Sequence, residues 1–198
     1  SDPLSLSNND INRIFQSNDK LIWLATEFGI SLLKPDQKFH HILTKSETRD
    51  FESSNMVTSI VKDQNSTLWA GTSDSGLYSY SNNYSNLSQY RTLDNGKNTN
   101  DLGFIGKILE DDNHNLWVLA ENGLSYKSLN SKWFETILKL KVKDRESSVN
   151  LSAGYDLIQD RYGDFWLGSG SGLYKINVEY DESGQVISDK LYIEDFNS

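Results

Sequence analysis

Apolar and polar positions along this 198-residue chain recur in short blocks, not in helical stripes. Four blocks align without a gap: RIFQSNDKLIW (Arg13 to Trp23), SIVKDQNSTLW (Ser59 to Trp69), KILEDDNHNLW (Lys107 to Trp117) and DLIQDRYGDFW (Asp156 to Trp166). In each, an apolar pair (Ile14-Phe15, Ile60-Val61, Ile108-Leu109, Leu157-Ile158) precedes a polar turn that runs into an apolar residue and a tryptophan. The tryptophans stand 46, 48 and 49 residues apart. Each then leads into a glycine followed by an apolar residue: Gly29-Ile30, Gly76-Leu77, Gly123-Leu124 and Gly172-Leu173.

Each block predicts a strand, a polar turn, a strand carrying the tryptophan, a tight turn at the glycine and a third strand. A fourth strand follows over Phe39 to Leu43, Gln89 to Leu93, Trp133 to Leu138 and Leu191 to Phe196. Short strands at regular spacing with Gly, Asn and Asp turns indicate an all-β chain. Four strands in a period of just under fifty residues define a β-propeller blade. The expected architecture is a single β-propeller segment of four blades, each of four antiparallel strands, at about 4–46, 47–96, 97–144 and 145–198, forming part of a larger ring. An innermost strand covered on both faces by neighbouring blades should be continuously apolar, as the four apolar pairs are. The tryptophan is the expected wedge between blades. Asp63, Asp111 and Asp160, with Ser17 in the first repeat, suit Asx-type caps of the turn that follows them.

The pattern I-x-x-D-x-x-x-x-L-W-x-G-T-x-x-G-L, fullest from Ile60 to Leu77, resembles the two-component regulator propeller repeat, and Leu6 to Ile11 resembles that family's lead-in to a blade. Ser17 and Ala25 in the first repeat and Leu119-Ala120 in the third depart from it. The resemblance implies a ligand-sensing, extracytoplasmic module of a hybrid two-component protein. Such a module would sit in the periplasm, respond to oligosaccharides and relay the event to a cytoplasmic histidine kinase. It would work alongside further propeller blades and a β-sandwich of the same parent chain, with no catalysis of its own. The kinase, sandwich and membrane-helix motifs of such a parent are not in this stretch. The readings that compete with a sensor are a protein-interaction propeller scaffold and a lyase-like propeller enzyme.

Composition narrows the partners. With 28 acidic and 19 basic residues the formal charge is −9, and no basic stripe offers a nucleic-acid surface. No apolar run reaches the roughly 18 residues of a membrane span, so no membrane contact is expected from this segment. Zero cysteines exclude disulfides and thiolate metal sites, and His40, His41 and His114 are too few and scattered for a histidine metal site. Neither metal nor cofactor is expected. Asp111 to Asn115 starts like a calcium loop but has Leu116 and Asn122 where the loop needs Gly and Glu. Gly168-Ser-Gly-Ser-Gly172 joins two strands and lacks the Lys-Ser/Thr ending of a phosphate cradle. The carboxylates fall in recurring turns or loops, and no Ser-His-Asp arrangement suggests itself, so no catalytic residue is assigned.

Function on a propeller is expected on the loops that join one blade to the next and the second strand to the third, which share one face. The inter-blade loops Thr44 to Met56, Asp94 to Phe104 and Lys143 to Tyr155 bring Arg49, Phe51, Phe104, Arg145 and Tyr155. The short turns bring Glu27, Asp74, Glu121 and Asn122, with Phe28 beside them. Aromatic faces stack on the C–H surfaces of sugars while Asp, Asn and Arg read hydroxyls and carboxylates, and these are the residue types present. Trp133 falls outside the period and suits an edge or partner surface. An arc of four blades would expose two apolar blade faces, so self-association is expected.

Overall fold

The computed structural model describes residues 5–33, 39–43, 56–81, 86–90, 102–129, 131, 134–144, 146–151 and 154–196. Among the described residues, strands form four sheets, and the one helical element is a single 3₁₀ turn, Ser188–Lys190. The first sheet holds β1 (Ile11–Gln16), β2 (Ile22–Thr26), β3 (Gly29–Leu33) and β4 (Phe39–Leu43) in that order. The second holds β5 (Val57–Lys62), β6 (Leu68–Thr72), β7 (Leu77–Ser81) and β8 (Asn86–Tyr90). The third runs β9 (Ile105–Glu110), β10 (Leu116–Ala120), β11 (Gly123–Lys127) and β12 (Glu135–Ile137).

The fourth sheet departs from the four-strand expectation. It contains β13 (Lys139–Val142), β14 (Ser148–Asn150), β15 (Gly154–Gln159), β16 (Phe165–Ser169), β17 (Gly172–Asn177) and β18 (Tyr192–Asp195), in the order β14-β13-β18-β17-β16-β15. β13 lies parallel to β18, with Lys141 opposite Tyr192 and Val142 opposite Ile193, while every other pairing described is antiparallel. Repeat spacing places Lys139–Val142 in the third blade, but the hairpin it forms with β14 is carried on the outer edge of the fourth.

The chain divides into two compact units, Ser1–Arg91 with Gly103–Ile105, and Thr92–Leu102 with Gly106–Ser198. Within the first, one face of the first sheet (Trp23, Ala25, Ile30, Leu32) packs on Ile60, Leu68, Ala70, Tyr78 and Tyr80 of the second. Within the second, Trp117, Leu119, Leu124 and Tyr126 of the third sheet pack on Leu157, Phe165, Leu167, Tyr174, Ile176 and Ile193 of the fourth. The same polarity holds in both: the tryptophan face of one blade meets the opposite face of the next. Trp117 is fully buried, its ring 4.8 Å from that of Phe165. Gly154 lets the two sheets of the second unit approach closely, since a Cβ there would lie 2.7 Å from Leu119 Cδ1.

The polar turn between the first two strands of each blade has one construction. In the second blade Asp63 Oδ1 accepts the backbone N–H of Thr67 at 2.9 Å, Ser66 N donates to Asp63 O, and Ser66 takes the left-handed conformation (φ 62°). Lys20, His114 and Gly163 hold the equivalent left-handed position three residues after Ser17, Asp111 and Asp160. The expected Asp cap is therefore present, and it does more than cap. Its second carboxylate oxygen accepts the indole Nε1–H of the tryptophan six residues on, at 2.8 Å for Asp63 and Trp69, 2.8 Å for Asp111 and Trp117, and 2.9 Å for Asp160 and Trp166. Without an Asp, the first blade uses Ser17 Oγ, which accepts from Trp23 Nε1 at 3.1 Å and donates to Asp19. A buried indole N–H needs a partner, and the turn supplies it.

Candidate functional site

The tight turn between the second and third strands is held by a hydroxyl at the end of the second strand. Thr26 Oγ1 donates to Gly29 O at 3.0 Å and accepts Phe28 N–H at 3.2 Å. Thr72 does the same with Gly76 O (2.8 Å) and Ser75 N (3.0 Å), and Ser169 with Gly172 O (3.4 Å) and Ser171 N (3.2 Å). Ala120, in the third blade, has no hydroxyl to do so. These anchored turns fix what they display. In the first unit they carry Glu27, half-buried, with its N–H on Asp10 O at 3.1 Å, exposed Phe28, and exposed Asp74, whose Oδ1 accepts from Ser75 Oγ at 3.1 Å. Gln89 Nε2 donates to Ser75 O and braces the Asp74 turn from β8.

In the second unit the equivalent turns carry exposed Glu121, half-buried Asn122 and Ser171. Tyr155 joins them, 64% exposed, with its hydroxyl beside the β16–β17 turn: a Cβ on Gly170 would lie 3.2 Å from it. Its exposure has a backbone cause. The register between β15 and β16 shifts between Gly154 and Asp156, so Tyr155 occupies a bulge, a device that re-aims a side chain. β1 and β5 carry the same irregularity, at Asn12 and Thr58. Asn12 Nδ2 donates to Val57 O at 3.2 Å, and Thr58 Oγ1 donates to Ile105 O at 2.5 Å. Phe104, 38% exposed, precedes β9. Arg49, Phe51, Arg145 and Trp133 lie outside the described residues. The candidates thus fall as Glu27 and Asp74 on adjacent blades of the first unit, with Phe104 grouped there, and Glu121, Asn122 and Tyr155 on adjacent blades of the second.

Sequence reasoning passed over a polar cluster elsewhere in the second unit. Asp111, buried, accepts from Asn113 N, Asn115 N, Asn115 Nδ2, Trp117 Nε1 and the hydroxyl of Tyr180 (3.0 Å). Asn115 Nδ2 also donates to Gly184 O at 3.0 Å. The 181–185 turn repeats the Asp turn of the blades, with Asp181 Oδ1 accepting Ser183 N and Gln185 N. Burial, with Asp111 beside it, pushes the Tyr180 phenol well above its ordinary range, so it stays a proton donor to the carboxylate. The constant six-residue interval between Asp and Trp was the available signal for this cluster. Nothing in the local pattern announced Tyr180.

An open polar depression lined by Val142, Lys143, Asp144, Glu194 and Asp195 lies at the β13–β18 edge, where Lys143 Nζ is 3.5 Å from Glu194. Among the described residues no three His, Asp or Glu side chains converge as metal ligands. The groups whose ionisation the fold displaces belong to turns and ion pairs. Asp160 is held below its ordinary value chiefly by the Trp166 indole, Asp19 chiefly by Lys62, and Lys175 is raised chiefly by Asp164. What the turns and strand ends offer is hydrogen-bonding carboxylates and an amide, with Phe28, Phe104 and Tyr155 as exposed rings.

Comparison with known proteins identifies this frame as a β-propeller. The chain superposes on the extracellular domain of BT4673 from B. thetaiotaomicron, described as a hybrid two component system, with a TM-score of 0.67 at 20% identity over 87% of this chain and 23% of that one. The corresponding domain of BT3049 from the same organism gives 0.57 at 23% identity over 87% of this chain and 27% of that one. Virginiamycin B lyase from Staphylococcus aureus gives 0.61 at 14% identity, covering 92% of this chain and 57% of that one. This chain therefore spans about a quarter of the two B. thetaiotaomicron domains. No curated protein matches. Residues 5–28 and 52–74 match the family model of the two component regulator propeller. The chain carries repeats of that type.

Proposed function

We propose that the chain is the ligand-sensing, extracytoplasmic propeller segment of a two-component signalling protein. In this reading it resides in the periplasm, recognises oligosaccharides through the turn-borne residues Glu27, Asp74, Glu121 and Asn122 together with Phe104 and Tyr155, and passes the event to a cytoplasmic histidine kinase. Arg49, Phe51 and Arg145 are the sequence-derived candidates that would complete the surface. Further blades and a β-sandwich of the same parent chain would complete the sensor, which has no catalysis of its own. The observation that carries this reading is the two component regulator propeller match at residues 5–28 and 52–74. The hydroxyl-anchored turns support it, because they present acids and rings without freedom to collapse.

The test is calorimetric titration of the chain with a panel of neutral and acidic oligosaccharides. Heat from one class, reduced at least tenfold in affinity by Asp74→Ala or Tyr155→Ala with folding unchanged, is the expected result. Binding to a protein partner with no response to any glycan would replace the sensor with a scaffold. Turnover of a lactone or cyclic peptide would replace it with an enzyme.

A further inference from the structure

The turn that carries Asp74 is gripped from two sides, and each grip brings an apolar side chain with it. From its own blade, Met56 O accepts Ser73 N–H at 3.0 Å, Met56 being the residue before β5. From the next strand along, Ile105 lies over Gly71 at the root of the turn, where a Cβ would collide with the isoleucine side chain. Thr58 Oγ1 ties the two together, 3.2 Å from Gly71 O and 2.5 Å from Ile105 O. Phe104 precedes Ile105 as Met56 precedes Val57, so half-buried Met56 and 38% exposed Phe104 head neighbouring innermost strands, and the Asp74 turn is rooted at both. These are contacts between blades that the chain itself completes.

A second stitch joins the first blade to this pair. Asn12 Nδ2 donates to Val57 O at 3.2 Å, and Glu27 N donates to Asp10 O at 3.1 Å, so exposed Asp10 and half-buried Glu27 repeat the construction one blade back. All of these residues belong to the first unit. The position ahead of β1, β5 and β9 therefore reads Asp10, Met56 and Phe104, an acid followed by two apolar side chains, with the turn acids Glu27 and Asp74 at the same end. Among the described residues no cation is paired with any of the three acids. Arg13 gives its guanidinium N–H to Asn12 O, and Lys62 is taken by Asp19.

From this we infer that the first unit binds a non-acidic oligosaccharide at the head of β5 and β9, with the C–H face of one sugar ring seated on Phe104 and Met56 and its hydroxyls given to Asp74. The inference rests on the sensor reading and adds to it the class of ligand and the place where it is read. The ring and the thioether supply an apolar floor, and the thioether adapts to the shape laid on it. A carboxylate accepts hydrogen bonds, so it suits a ligand rich in hydroxyl donors. A uronate or sulfated ring would bring its own charge against carboxylates that no cation offsets, a repulsion that salt screens. The acids thus act as the filter, and the apolar pair as the seat.

The experiment is calorimetric titration of the 198-residue chain, and of Phe104→Ala and Asp74→Asn, with neutral and uronate-bearing oligosaccharides of equal length, each at low and high salt. The neutral series is expected to bind, with the acidic series weaker by about tenfold or more. Phe104→Ala should lower the neutral affinity about tenfold with its circular dichroism unchanged. Asp74→Asn and added salt should each narrow the gap between the two series, a change that a merely structural role for Asp74 would not produce. Preference for the acidic series overturns the inference and leaves the sensor reading standing. Neutral binding indifferent to Phe104→Ala does the same, because the ligand then sits elsewhere on the chain. No heat from either series takes down the inference together with the sensor reading beneath it.

Discussion

Asp111 and Trp117 are joined side chain to side chain, the indole Nε1 2.8 Å from Oδ2, and both are buried. The same carboxylate closes its own turn and accepts Tyr180, so its removal orphans several donors at once. Asp111→Ala is expected to cost about 3 kcal/mol, since each unsatisfied buried donor costs on the order of 1–3 kcal/mol and some will find water. Urea denaturation measures this, and a change below about 1 kcal/mol would mean that the cluster is dispensable.

The tryptophans should not be equivalent. Trp117→Ala and Trp69→Ala remove rings at 0% and 6% exposure, and each is expected to cost about 3–5 kcal/mol. Trp166→Ala removes a half-buried ring and should cost about half as much or less. Equal losses of melting temperature in dilute solution would contradict the packing described for the last blade.

Two glycines separate close approach from open space. A Cβ at Gly154 meets Leu119 at 2.7–3.0 Å, so Gly154→Ala should lose about 1–3 kcal/mol through overpacking between β10 and β15. Gly168 has nothing within 4 Å, and Gly168→Ala should be neutral or slightly stabilising. Thermal melts of the two variants side by side decide it.

Acid should loosen the Asp turns. The folded Asp160 carboxyl is more acidic than its ordinary value of 3.8, first because of the Trp166 indole N–H and then the N–H groups of Tyr162 and Asp164. Its stabilisation is therefore complete above that value and is lost as pH falls through the lower folded pKa. Asp160→Asn should destabilise the chain near pH 7 and flatten the decline of its urea midpoint below about pH 4. A variant whose acid decline is as steep as the native one would show that Asp160 contributes nothing to it.

The repeat was legible because its marks are local: an apolar pair, an Asp, a tryptophan and a glycine at nearly fixed offsets. Asp63, Asp111 and Asp160 were readable as turn caps, whereas their bond to the indole needed the six-residue interval to be read as a contact. The fourth sheet was not legible. Its β13 pairs with β18 about fifty residues later, and a three- or four-residue strand carries no periodicity to announce a distant partner. Continuous burial of the innermost strands was expected of every blade and holds for Ile60 and Ile108, but Ile14 and Ile158 face open ground. Of the loop candidates, Tyr155 owes its exposure to a bulge, which depends on how β15 meets β16 and not on any residue type.

That late pairing changes how the end of the chain would come apart. β18 is bonded on one side to β17, which precedes it by a short excursion, and on the other to β13, which enters the sheet before any of its inner strands. A protease cut in the 178–187 excursion would sever covalent continuity without freeing β18, because two ladders on opposite edges still grip it. The clipped piece should stay with the body through gel filtration and separate only in denaturant, so the blade behaves as a buckle fastened by strap from both ends.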